Sequence, residues 1–126
     1  MPIQNDRPAQ GLRRLLNATR HSWRGLWATA LHEEAFRQEL LLLLIACLLT
    51  PFLAQSWFHA IALLGSVILI LIVELLNSAI EALVDRVGLE FNELSGRAKD
   101  MGSAAVFMSI TLTVMIWGVS VVQWLF

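Results

Sequence analysis

Between Phe58 and Asp85 the chain runs through a long apolar stretch into which four polar side chains are set at helical spacing. Phe58 to Val73 contains no Asp, Glu, Lys or Arg, and Glu74, Asn77, Glu81 and Asp85 follow with no Pro or Gly to interrupt them. A stretch this long and apolar reads as a membrane-spanning helix. The spacings i, i+3, i+7 and i+11 place all four polar groups on one face of that helix. A carboxylate at membrane depth is costly unless it has a partner, a proton or a metal. The stretch therefore predicts a polar site at one end of a membrane bundle, with interhelical hydrogen bonding as the simpler alternative.

Two more apolar runs flank it, Leu40–Leu49 and the segment after Met101. With 57% hydrophobic residues in 126, the chain is too apolar for a small soluble domain and is read as one domain, 1–126. The expected fold is an all-α membrane protein: an amphipathic surface helix over about 11–34 and spans over about 36–54, 59–84 and 101–124. Residues 1–8, with Pro2 and Pro8, are expected to be frayed. From Gly11 on, Leu12, Leu15, Leu16, Trp23, Leu26, Trp27, Ala30 and Leu31 form an apolar stripe, with Arg13, Arg14, Asn17, Arg20 and Arg24 mostly off it. A basic face opposite a Leu/Trp face describes a helix lying in the membrane interface. His32–Glu39 runs into the first span without Pro or Gly, so the polar helix is expected to continue into it. The uninterrupted apolar part of that span is short, about 15 residues or roughly 23 Å.

Charge placement gives an orientation. Arg7, Arg13, Arg14, Arg20, Arg24 and Arg37 precede the first span, and Arg86, Arg97 and Lys99 lie between the second and third. The positive-inside rule then puts the N-terminus and the connection over residues 88–100 in the cytoplasm, with the C-terminus on the far side. If the second span enters the hydrocarbon near His59, Glu74 lies roughly 21 Å in and Glu81 roughly 32 Å in. Glu74 falls within the cytoplasmic leaflet and Glu81 near its surface. Gly102, Ser103, Ala104, Ala105, Ser109 and Gly118 suit close helix packing in the third span. Cys47 is expected to be a small core residue. The near-zero net charge carries no nucleic-acid signature. The first apolar run begins too far into the chain to be the core of a signal peptide.

No Walker A loop, kinase Gly-rich loop, HExxH or Ser-His-Asp order is present. His21, His32 and His59 share no metal-ligand spacing. What remains is a group of carboxylates and bases at one membrane face. Glu33, Glu34 and Glu39 come from the first region, Glu74, Asn77 and Glu81 from the second, and Lys99 and Asp100 open the third. Mg²⁺ takes one or two carboxylates plus phosphate oxygens, and Lys neutralises phosphate charge. The residue types permit phosphoryl transfer at a membrane surface. They equally permit a non-enzymatic proton- or ion-conducting oligomer.

Glu33–Glu39, Val73–Arg86 and Glu93–Ala105 closely resemble three motifs of the bacterial integral-membrane diacylglycerol kinase family. The match covers nearly the whole chain, in order and spacing. The resemblance implies a homotrimer in the bacterial inner membrane that converts ATP and 1,2-diacylglycerol to ADP and phosphatidic acid, with Mg²⁺ assisting a direct in-line transfer. A polyprenol (undecaprenol) kinase shares that scaffold and is the alternative. By the same resemblance, Glu33 and Glu81 match metal ligands and Glu74 the catalytic base. Asn77, Lys99 and Asp100 match essential polar residues, with Lys99 on the ATP phosphates. Arg14 and Glu39 match positions lining the substrate or nucleotide site, and Ser103 one near the lipid hydroxyl. Trp23, Ala35 and Arg37 join the lipid side. His21, Glu90 and Asn92 join the ATP side, where His21, Phe91 and Asn92 depart from the family's pattern of aromatic and His side chains. Diacylglycerol offers its hydroxyl from the headgroup zone while ATP arrives from water, which suits a base at Glu74 and a metal at Glu81.

Overall fold

A computed structural model describes residues 11–126; Arg7 and the expected fraying of residues 1–8 lie outside the described residues. The chain forms four helices: α1 Leu12–His32, α2 Glu34–Leu53, α3 Trp57–Val87 and α4 Glu93–Leu125. The last three are long and apolar enough to cross a membrane. The protein is a multi-pass membrane protein with one amphipathic helix ahead of its spans.

α3 is the central element, and α2 and α4 pack on it far more than on each other. Its face supplies Leu63, Val67, Ile70 and Leu71 to the core, joined by Phe36 and Ala46 of α2. Two hydrogen bonds join α3 and α4 along this core. Thr113 Oγ1 donates to the Ser66 carbonyl at 3.0 Å, and Trp117 Nε1 donates to the Leu63 carbonyl at 3.1 Å. Small hydroxyl residues let two helices approach closely where lipid supplies no hydrophobic drive between them. At the far end the Gln55 amide donates to His59 Nδ1 at 3.2 Å, which leaves Nε2 as the donor to Ser120 Oγ at 2.7 Å. His59 thus ties the α2–α3 turn to α4.

The helix ends follow from local chemistry. Ser56 Oγ accepts from the His59 amide at the start of α3, and Asn92 Oδ1 accepts from the Leu94 and Ser95 amides at the start of α4. Pro51 sits in the last turn of α2. There its missing amide removes only one bond, and the Ala54 amide closes the turn on the Thr50 carbonyl at 2.8 Å.

Several expectations are corrected. α1 does not run on into the first span: Glu33 is extended (φ −106°, ψ 115°) and separates α1 from α2. The Arg37 guanidinium reaches back from α2 to the Ala30 and Leu31 carbonyls at 3.0 and 3.2 Å, satisfying the end of α1 where a continuous helix would have satisfied it. α4 begins at Glu93, so the polar stretch over residues 93–100 is helix, and the connection shortens to Gly88–Asn92. Cys47 is exposed rather than in the core. Of the small residues in α4, Gly102 and Ser109 are buried, while Ser103, Ala104, Ala105 and Gly118 are not. At 1.5 Å per residue α3 and α4 run to roughly 46 and 50 Å, well beyond a hydrocarbon core of about 30 Å. Both helices are therefore longer than a span requires, and the polar side chains Glu74, Asn77, Glu81 and Asp85 fall in the C-terminal half of α3.

Candidate active site

The 3.6-residue period of α3 puts Glu74, Asn77, Glu81 and Asp85 on one face, over about three turns. The face changes character along its length. Glu74 is 6% exposed and Asn77 8%, Glu81 is half-buried, and Asp85 is exposed. Among the described residues Glu74 is the one carboxylate that is buried.

Three other elements bring carboxylates or bases to this face. The break between α1 and α2 delivers Glu33, half-buried, and the second turn of α2 delivers Glu39. The charges of Glu81 and Glu33 act on Glu74, and that of Glu74 acts on Glu39, so the four carboxylates form one electrostatic cluster. Arg37, on the opposite side of that turn, is spent on the carbonyls of α1 and offers the cluster no cation. The break, which the sequence did not foreshadow, leaves Glu33 half-buried and close enough for its charge to act on Glu74.

Asn77 links the cluster to α4. Its Nδ2 donates to Glu81 Oε1 at 3.2 Å, while its Oδ1 is buried with no hydrogen-bond partner and faces Gly102. A Cβ on Gly102 would collide with that oxygen and lie 3.3 Å from Asn77 Cγ. Glycine at 102 is therefore what lets α4 close over Asn77. Glu39 Oε2 and Ser78 Oγ are also buried without partners, so this region holds polar atoms that the chain itself leaves unpaired. α4 next contributes Lys99, whose Nζ donates to Asp85 Oδ1 at 2.6 Å. Asp100 and Ser103 lie nearby in sequence but are exposed.

Glu33, Glu39, Glu74, Asn77, Glu81 and Lys99 are thus gathered around one end of α3. Other expected site residues are elsewhere. Arg14, His21 and Trp23 project from α1 with no hydrogen bond or ion pair to the cluster, and Ala35 is exposed on α2. Glu90 and Phe91 are exposed on the connection, and Asn92 is committed to capping α4. Two residues without an assigned role prove to be structural partners of the cluster, Asp85 and Gly102. Asp85 was visible as the fourth member of the α3 face, one turn past Glu81. Gly102 carried no signal beyond its size, because its contact with Asn77 depends on how α4 is set against α3.

Among the described residues no three His, Cys, Asp or Glu converge into a closed metal cage. The cluster offers hard carboxylate oxygens, the donor type suited to Mg²⁺ when phosphate oxygens complete its shell. Below the cluster, an apolar groove of about 360 Å³ runs between α2 and α4, with Glu39 at one end and Trp117 towards the other. A buried acid–base group, a carboxylate set open to a cation and phosphates, and an apolar groove leading away into the membrane together suit phosphoryl transfer to an amphipathic alcohol.

Comparison with known proteins points the same way. The sequence profile of the family described as prokaryotic diacylglycerol kinase matches residues 20–121. A protein of Escherichia coli (strain K12) named diacylglycerol kinase is 50% identical over 107 residues, covering 85% of this chain and 88% of its own. Proteins of the same name from Pseudomonas aeruginosa and Haemophilus influenzae are 48% and 46% identical, covering 85% and 86% of this chain and 87% and 92% of their own.

Proposed function

Since this chain belongs to the prokaryotic diacylglycerol kinase family and is an ATP-dependent diacylglycerol kinase, we propose that the cluster around Glu74 carries the transfer. The burial of Glu74 carries the reading: among the described residues it is the one buried carboxylate, sheltered from water as a base for a hydroxyl held in the headgroup zone would be. In the proposed reaction Glu74 accepts the proton of that hydroxyl. The alcohol oxygen bonds to the γ-phosphorus of ATP as the bond from that phosphorus to the β,γ-bridging oxygen breaks. ADP leaves, and phosphatidic acid remains in the membrane.

Phosphoryl transfer asks mainly for positioning and charge neutralisation. Glu33 and Glu81 are the residues that would hold Mg²⁺; bound there with ATP phosphates, the ion would neutralise charge on the transferring group. Asn77 orients the Glu81 carboxylate through its 3.2 Å bond. Lys99 holds the phosphates, and Asp100 supports that entrance. Glu39 and Ser103 border the lipid hydroxyl, with Arg14, Trp23, Ala35 and Arg37 on the lipid's approach. Of these, Arg37 acts through its hold on α1. His21, Glu90 and Asn92 lie on the nucleotide side, Asn92 in addition to its capping role.

The assembly is proposed to be a homotrimer in the bacterial inner membrane. The many large apolar side chains that α2, α3 and α4 leave exposed suit burial against lipid and neighbouring copies. The Lys and Arg distribution supports a cytoplasmic N-terminus and a C-terminus on the periplasmic side. Transfer of labelled γ-phosphate from ATP to diacylglycerol by the purified protein, with and without Mg²⁺, tests the reading. Cation-independent transfer, or transfer to undecaprenol in preference to diacylglycerol, would overturn it.

A further inference from the structure

We propose that Asp85 is a positioning residue for the kinase reaction, holding the Lys99 ammonium at the outer rim of the carboxylate face, clear of Glu81 and ready for the phosphates of ATP. The inference rests on the reading of Lys99 as the phosphate-binding cation. Lys99 Nζ and Asp85 Oδ1 are 2.6 Å apart, a short charge-assisted contact between α4 and α3. The ammonium has three N–H donors, and this is the one hydrogen bond it makes among the described residues. Two donors remain directed elsewhere. The two side chains are 40% and 51% exposed, so the pair stands where nucleotide from water can reach it.

What Asp85 prevents is as informative as what it holds. After Asp85, the next acidic group acting on the ammonium is Glu81. A lysine stem has four flexible carbons and no preferred fork geometry. Released from Asp85, it would turn towards Glu81, one helical turn or roughly 6 Å nearer the apolar zone. That would neutralise a carboxylate assigned to the cation and withdraw the charge from the phosphate entrance. The pair is exposed, and exposed ion pairs carry modest coupling, so the effect on nucleotide affinity is modest too.

The test compares Asp85→Asn, Asp85→Glu, Lys99→Met and the double variant Asp85→Asn/Lys99→Met, as full-length purified enzyme in lipid micelles. Two readouts are taken: binding of a non-hydrolysable fluorescent ATP analogue with Mg²⁺ and no diacylglycerol, and the steady-state constants. Asp85→Asn should weaken analogue binding and raise the KM for ATP about three- to fivefold, with kcat within about twofold of wild type. Asp85→Glu, which keeps the charge, should recover most of the loss. Lys99→Met should weaken binding at least as much, and adding Asp85→Asn to it should cost nothing further. If Lys99→Met leaves ATP affinity unchanged, the reading of Lys99 fails, and the role of Asp85 with it. If Lys99→Met weakens ATP but Asp85→Asn does not, or tightens it, or the two effects multiply in the double variant, Asp85 has no positioning role and Lys99 keeps its own. Should Asp85→Asn fail to assemble, Asp85→Glu decides, because an intact carboxylate that loses ATP affinity more than fivefold contradicts the proposal.

Discussion

Gly102→Ala tests whether the approach of α4 to Asn77 is part of the catalytic arrangement. The added Cβ would collide with Asn77 Oδ1 and sit 3.3 Å from Cγ, while its 3.7 Å approach to Cα is ordinary contact, so the clash is with the amide group. Either the amide rotates, breaking its 3.2 Å bond to Glu81, or α4 moves outward and loosens the Lys99–Asp85 pair. Overpacking of this kind costs about 1–3 kcal/mol. Alanine returns about 1 kcal/mol of helix propensity, so the net loss of stability should be about 0–2 kcal/mol and the protein should still fold. Activity should suffer more. A hydrogen bond to a charged group is worth about 1.5–3 kcal/mol, so losing the orientation of Glu81 should lower kcat/KM by about ten- to a hundredfold. Gly96→Ala is the control: its Cβ meets nothing within 4 Å, so that variant should be as stable as wild type or slightly more so, with unchanged turnover. Thermal unfolding in detergent and steady-state assays on both variants decide the matter. A Gly102→Ala enzyme with turnover within twofold of wild type would refute the reasoning.

Three further substitutions probe separate parts of the account. Glu81→Gln should abolish Mg²⁺-dependent turnover while size-exclusion chromatography shows the oligomer unchanged; normal turnover would remove Glu81 from the cation site. Asn92→Ala should lower stability by about 1 kcal/mol through loss of the α4 cap, and Asn92→Ser, which can still cap, should restore it. If the KM for ATP rises in Asn92→Ala and stays raised in Asn92→Ser, the asparagine contacts nucleotide as well. Trp23 and Trp27 changed together to Ser should raise the KM for diacylglycerol more than that for ATP, since both side chains are exposed on the apolar face of α1; equal rises would assign that face to packing.

The spans and the α3 face could be read from sequence because both depend on local pattern. Long apolar runs point to three spans, and the intervals between Glu74, Asn77, Glu81 and Asp85 point to a polar face. Most of the failures were at places where one helix acts on another. The break at Glu33 has no Pro or Gly to announce it, because a side chain from the next helix, Arg37, holds the end of α1. The first two turns of α4 looked like a loop because their charges are mixed. Gly88 and Gly96 bracket that stretch and suggest a loop, whereas Asn92 caps a helix that starts at Glu93. The pairing of Lys99 with Asp85, and of Gly102 with Asn77, depends on the register of α4 along α3, and no local pattern encodes that register. Spans and helix faces were legible; the cross-helix contacts and the locally capped start of α4 were not.

The central claim is that Glu74 takes the proton from the lipid hydroxyl. Glu74→Gln keeps the side-chain shape in its buried position and removes the base. General-base catalysis contributes about 10²–10⁴-fold, so kcat should fall by that much or more. MgATP affinity should stay nearly unchanged, because the base acts in the transition state rather than on the nucleotide. Measuring kcat and MgATP binding on the same preparation of Glu74→Gln tests this most directly. Unchanged MgATP binding with kcat within about threefold of wild type would contradict the account, and loss of MgATP binding would move Glu74 from the base to the cation site.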